Sequence, residues 1–201
     1  MEWCSGLRLF ILSHSGHTMS YADYLGILVG HGYACEVGAH DGLFQSITLP
    51  LEQVGWRVLC VEGNPSMKDS LYTHRREVLT VACGAQDVDE VPFYINTTKP
   101  ESYTGLLQHR DCNETVMVPQ WTLTKCLDHV KYPQLDLLAI DVEGSELAVL
   151  RGLDFTRWQP RVIMAENWGA PGDNGVQQFL LEHEYAMDGK IQYDEVFVRA
   201  K

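Results

Sequence analysis

Cys35-Glu36-Val37-Gly38-Ala39-His40-Asp41-Gly42 is the stretch that decides the fold, read together with Val58-Leu59-Cys60-Val61-Glu62-Gly63-Asn64-Pro65. The first reads as a buried strand ending in a glycine-rich turn. The second reads as another apolar strand, closed by an acidic residue about twenty positions further on. That pairing is how a nucleotide site is built in an α/β protein. Glycines let the backbone approach the ligand, and a carboxylate at the end of the next strand accepts hydrogen bonds from ribose hydroxyls.

Working outward, Tyr21, Tyr24, Leu25, Leu28 and Val29 recur at helical spacing and predict a helix ending near Gly30–Gly32. A strand follows over residues 33–37. A helix is expected over about 43–53, interrupted by Pro50 and stopped at Gly55, and a strand over 57–62. Asn64-Pro65 joins an N-cap to a proline at the first helical position, which starts a helix running to about residue 74. Residues 78–83 read as a third strand. The alternation then breaks: short strands at 91–95 and 115–118 flank a polar segment, 96–113, without clear periodicity. A short helix at 123–130, a strand at 135–140, a helix at 145–151 stopped by Gly152, a strand at 161–165 and a helix at 176–183 restore it. Residues 185–188 and 195–199, joined through Gly189, predict a terminal hairpin. Strands alternating with helices imply a parallel sheet covered on both faces, here with an antiparallel edge.

A chain of 201 residues with 45% hydrophobic content suits one α/β domain with a full core. It is read as a single domain over 1–201, with an N-terminal extension and helix over 1–31 and the core over 33–199. The formal net charge of −12 repels a phosphate backbone, so nucleic acid is a disfavoured partner. Arg75-Arg76 falls in a predicted helix and reads as a solvated face. The six cysteines (4, 35, 60, 83, 112 and 126) show no CxxC pair and no Cys/His ligand spacing. Cys35, Cys60 and Cys83 fall in apolar strands, where a reduced thiol acts as a small hydrophobe. The apolar stretch 7–12 is too short to span a membrane and lacks the features of a secretory signal. A soluble, cytoplasmic protein is expected, with no membrane partner.

A dinucleotide turn wants glycine at its first, third and sixth positions; counting from Gly38, the third is His40 and the sixth Leu43. The acidic spacing Glu36, Gly38, Gly42 instead suits a ligand without a pyrophosphate, and a carboxylate there can attract positive charge. S-adenosylmethionine carries an ammonium and a sulfonium, and fits such a pocket better than NAD.

The segments 36–42 and 61–65, with Ile140-Asp141-Val142-Glu143-Gly144-Ser145-Glu146-Leu147 and Leu150-Arg151-Gly152, resemble the FkbM-type methyltransferases. The resemblance runs from about residue 33 to 199. It implies a class I Rossmann-like fold with a mostly parallel seven-stranded sheet, helices on both faces and an antiparallel C-terminal hairpin. It also implies S-adenosylmethionine as cofactor and a hydroxyl of a sugar or other small molecule as acceptor. Carried over by position, the cofactor residues are Glu36, Gly38, Ala39, His40, Asp41, Gly42, Glu62, Asn64, Ala82, Cys83 and Asp141. Glu36 would anchor the amino acid end, Glu62 the ribose, and Asn64 and Ala82-Cys83 the adenosine, while Asp141 would face the methyl. Asn64 reads equally as an N-cap. The family usually shows aspartate where Glu36 stands, asparagine where His40 stands and proline where Gly63 stands.

An aliphatic hydroxyl is a poor nucleophile near neutral pH, so a base or a metal is required. The catalytic candidates are Asp141 and His40. Asp141, Glu166 and Asn167 end two strands expected to be neighbours and form a candidate set of oxygen ligands for Mg2+ or another divalent cation. His109 reads as a surface histidine, and His14 and His17 as part of a terminal segment. Acceptor loops are placed at 100–110, with Ser102, Tyr103 and Thr104, and at 168–173. A homodimer is an expected partner arrangement. The alternatives are an RNA 2′-O-methyltransferase, a nicotinamide-dependent oxidoreductase and a non-catalytic S-adenosylmethionine-binding protein.

Overall fold

The computed structural model describes residues 11–12, 18–19, 31–99, 103–169, 172 and 174–200. The helix expected over 21–29 and the histidines at 14 and 17 lie outside the described residues. Two short strands come first, β1 (Ile11–Leu12) and β2 (Thr18–Met19), paired antiparallel. Next come β3 (Tyr33–Val37), α1 (Leu49–Gln53), β4 (Arg57–Val61), a 3-10 turn (Pro65–Met67), α2 (Lys68–His74) and β5 (Glu77–Leu79). An insertion of β6 (Ala82–Cys83), β7 (Val88–Ile95) and β8 (Glu114–Trp121) follows. The chain closes with α3 (Leu123–Val130), β9 (Leu137–Ile140), α4 (Glu146–Arg151), β10 (Val162–Glu166), α5 (Val176–Glu182), β11 (Tyr185–Ile191) and β12 (Asp194–Arg199).

Seven strands form one sheet in the order β5-β4-β3-β9-β10-β12-β11. β5, β4, β3, β9 and β10 are parallel; β12 runs against both its neighbours and is the one reversed strand. This is the mostly parallel, Rossmann-like α/β sheet expected from the sequence. Alternation along each strand sends Cys35, Val37, Leu59, Leu138, Ile140 and Ile163 to one face, against Leu123 and Leu127 of α3, Leu150 of α4 and Leu180 of α5. Ala34, Val58, Cys60, Leu137 and Met164 go to the other, against Leu51 of α1 and Leu71 of α2. Sequence order reverses direction between β3 and β9, which opens a crevice at their carboxyl ends. No helix among the described residues is long and apolar enough to cross a membrane.

Four differences from the sequence expectations have local causes. The helix expected over 43–53 shrinks to Leu49–Gln53, because Pro50 sits in the first turn and starts the helix rather than interrupting it. Residues 78–83 split: β5 ends at Leu79, and Ala82-Cys83 turns away to pair with β8 in a separate three-stranded sheet. The short strands at 91–95 and 115–118 extend into the antiparallel pair of β7 and β8. In the terminal hairpin Gly189 marks a register shift inside β11, and the turn falls at Gln192-Tyr193.

Candidate active site

The turn after β3 is held by main-chain bonds before any ligand is considered. Gly38 and Ala39 both donate their N–H to the Val61 carbonyl, and Asp141 donates its N–H to the Val37 carbonyl (2.9 Å). Gly38 has φ 85°, and a Cβ there would overlap the Asp141 carbonyl oxygen, so glycine is required where β3 meets the end of β9. Gly42, also left-handed, leaves room for the Arg75 side chain, which would lie 2.7 Å from an added Cβ. His40 stands between them at φ 47°. Asparagine and histidine tolerate that region better than most residues.

Arg75 is not on a solvated face as the sequence suggested. Its guanidinium is fully enclosed, with Nε on Glu52 (2.8 Å) and one terminal nitrogen on Glu36 (3.0 Å) and the Gly42 carbonyl. The other terminal nitrogen reaches the Thr48 hydroxyl. Glu36 also accepts from the Ser46 and Thr48 hydroxyls and the Ile47 N–H. Four donors fill the acceptor capacity of one carboxylate. Glu36 therefore borders the cavity as a neutralised strut that fixes the turn.

At the carboxyl ends of the parallel strands lies a cavity of about 470 Å3, within the range of small-molecule sites. Glu36, Gly38, Ala39, His40, Glu62, Asn64, Ala82, Cys83, Asp141 and Glu166 line it. Asp41 and Gly42 stand behind its wall; Asp41 takes the N–H groups of Leu43 and Phe44 and shapes the turn instead. Glu62 accepts from the N–H of His40 (2.8 Å) and of Asn64 (2.6 Å). Burial raises its carboxyl, opposed by those two bonds. Asn64 caps the 3-10 turn through its Oδ1, which takes the Ser66 N–H and hydroxyl. Its Nδ2 is buried without a hydrogen-bond partner. An unmet buried donor costs about 1–3 kcal/mol, so this amide offers a strong donor to any acceptor placed beside it. Val81, Ala82, Cys83 and Phe93 form an apolar slot beside it. The Cys83 thiol bonds Cys126 and is buried, both of which push it well up and leave it unreactive.

The other end of the cavity is acidic. Ligand atoms of Asp141, Glu143 and Glu166 lie within 4.8 Å of one another, and Asp194 of β12 pairs in register with Glu166 of β10. Burial raises the carboxyls of both Asp141 and Glu166, and for Glu166 the charge of Asp141 adds to it. The hydrogen bond between them holds down Asp141 and raises Glu166 further. Asn167 is engaged elsewhere: its Nδ2 donates to Glu195 and its Oδ1 accepts from the Gly169 N–H. Glu143 takes the place the sequence gave to Asn167, brought there by a left-handed backbone (φ 55°) before Gly144. Glu146 accepts from the N–H groups of Val142 and Gly144 and secures this turn.

Several lining residues were missed in the sequence. Phe93 comes from the insertion, and Gln192, Tyr193 and Asp194 from the β11–β12 turn, whereas Thr104, Gly105 and Leu106 of the lining fall inside the acceptor loop expected at 100–110. Tyr193 stacks on the exposed Trp168 (3.8 Å between centroids, 21° between planes) at the mouth. Of the acceptor loop at 100–110, Ser102 is outside the described residues, Thr104 reaches the cavity, and Tyr103 stacks on His109 outside it.

The buried carboxylate of Glu62, the orphaned Asn64 amide, the apolar slot and the glycine turn line one cavity with the donors, acceptors and flat apolar space that a nucleoside requires. A model of the "Methyltransferase FkbM domain" matches residues 36–187. No curated protein matches this chain. Among solved structures it resembles a precorrin-6y C5,15-methyltransferase from Geobacter metallireducens GS-15, with a TM-score of 0.51 and 14% identity over 90% of this chain and 86% of that one. At that identity the likeness is one of fold. Its family is shown by the domain match, which spans most of the sequence and begins at Glu36: the chain belongs to the FkbM methyltransferases, for which S-adenosylmethionine is the expected cofactor.

Proposed function

We propose that this chain, acting as a single methyltransferase domain, transfers a methyl group from S-adenosylmethionine to a hydroxyl of a small-molecule or carbohydrate acceptor. The observation that carries the reading is the division of one cavity into two ends: a nucleoside end built on Glu62 and Asn64, and a carboxylate end built on Asp141 and Glu166. The cofactor, when bound, supplies a methyl on a positive sulfur that is electrophilic without further activation.

Glu62 accepts hydrogen bonds from the ribose diol through lone pairs left by His40 and Asn64. The Asn64 amide donates to the adenosine, and Ala82, Cys83 and Phe93 enclose its flat ring. Gly38, Ala39 and His40 border the methionine end. Glu36 acts through Arg75 and Ser46 to keep that turn in shape. Asp141 takes the proton from the acceptor hydroxyl; burial raises its affinity for a proton towards the operating range of a general base. His40 borders the same space, and both of its ring nitrogens are buried without a hydrogen-bond partner. The Trp168–Tyr193 stack offers a flat apolar face suited to a sugar or aromatic ring.

No lysine or arginine is among the described residues lining the cavity, which speaks against an RNA 2′-hydroxyl and other phosphate-bearing acceptors. The test is S-adenosylhomocysteine release from S-adenosylmethionine with a panel of glycosides and phenols. Turnover with at least one is expected, and Asp141→Asn should lower kcat about a hundredfold or more while keeping cofactor affinity. An Asp141→Asn variant with unchanged kcat would remove Asp141 as the base. Cofactor binding with no methylation across a broad panel would favour the non-catalytic alternative.

A further inference from the structure

We propose that Asp141, Glu143 and Glu166 bind one hard divalent cation at the acceptor end of the cavity. What the ion would do there, acidifying the acceptor hydroxyl in place of Asp141 acting alone as base, rests on the methyl-transfer reading; the binding does not. Oxygens on opposite sides of one cation, each at about 2.4 Å, are about 4.8 Å apart. Three ligand atoms that all lie within 4.8 Å of one another can therefore surround a single ion and leave positions for water or a hydroxyl.

Two observations outside that spacing point to a missing partner. Glu166 is buried (8% exposed), and its Oε2 has no hydrogen-bond partner in the protein. Buried polar atoms in native structures are satisfied by protein, water or an ion, so this oxygen marks something not supplied by the fold. In addition, no lysine or arginine is among the described residues lining the cavity, while Asp194 adds a fourth carboxylate to the same end. Arg75, which could have balanced this charge, is committed behind the wall to Glu36 and Glu52. An all-oxygen, carboxylate-rich set favours magnesium, manganese or calcium over zinc or copper. The rival occupant is the positive sulfur of the cofactor itself.

Manganese is the probe. Chelator-stripped full-length protein titrated with Mn2+ and read by electron paramagnetic resonance should bind one ion per chain, displaceable by excess Mg2+ or Ca2+. Glu143→Gln and Glu166→Gln, nearly isosteric with the native residues, should each weaken Mn2+ by about tenfold or more. The ion should remain bound when S-adenosylmethionine is added. Absence of saturable Mn2+ binding to the native chain would overturn the proposal, as would unchanged affinity in both variants. So would release of Mn2+ by S-adenosylmethionine but not by S-adenosylhomocysteine, because the cluster would then serve the sulfonium. S-adenosylhomocysteine affinity on the same metal-free sample reports separately on the methyltransferase reading.

Discussion

At the scale of single residues, Arg75 shows how a site can be fixed by a group that never touches the ligand. It sits between Glu36 and Glu52 with no solvent access, so removing it strands two buried carboxylates. Arg75→Ala should cost about 3–5 kcal/mol in denaturant unfolding, and Arg75→Lys should recover only part, because a point charge cannot span the acceptors on Glu36, Glu52, Gly42, Ser46 and Thr48 that the guanidinium fork reaches. A loss below about 1 kcal/mol for Arg75→Ala would contradict the buried network. The sequence placed Arg75 on a helix but not inside the protein. Its partners are 23 and 39 positions away, and burial of an ion triad follows from tertiary packing that local pattern does not encode. Glu62, by contrast, was legible, because its role follows from its place at the end of one strand.

At the scale of elements, the strands of the main sheet could be read because each is a short apolar run between clear stops. Tyr33–Val37 and the helix Leu123–Val130 fall where the sequence put them. The insertion was harder. Its strands are half-exposed and pair with each other, with Ala82-Cys83 and, at Tyr94, with Gly105, so their ends depend on partners rather than on their own pattern. That is why Phe93 was missed as cavity wall. Helix α3 offers a clean test at this scale. Thr122 caps it by accepting from the Lys125 N–H. Thr122→Ala should therefore cost about 1 kcal/mol, read as a lowered denaturation midpoint with unchanged slope. No change in midpoint would mean the cap contributes nothing.

At the scale of the whole molecule, a protein of net charge −12 gathers carboxylates where a cationic ligand would sit. Burial raises Glu62, Asp141, Glu143, Glu146 and Glu166 together. A carboxyl raised on folding binds more protons in the native state than in the unfolded one, whose acids titrate near pH 4. Stability of the ligand-free, metal-free protein should therefore fall as pH rises from about 5 to 8, and S-adenosylmethionine should protect more at pH 8 than at pH 5.5. A melting temperature that climbs over this window in chelator would contradict that charge balance. The central claim is that the crevice between β3 and β9 grips a sulfonium nucleoside through Glu62 and Asn64. Isothermal calorimetry with S-adenosylmethionine and S-adenosylhomocysteine tests it most directly. The account predicts one site per chain for both ligands, weakened about tenfold or more by Glu62→Gln. No heat with either ligand on folded protein, or full affinity retained in Glu62→Gln, would contradict it.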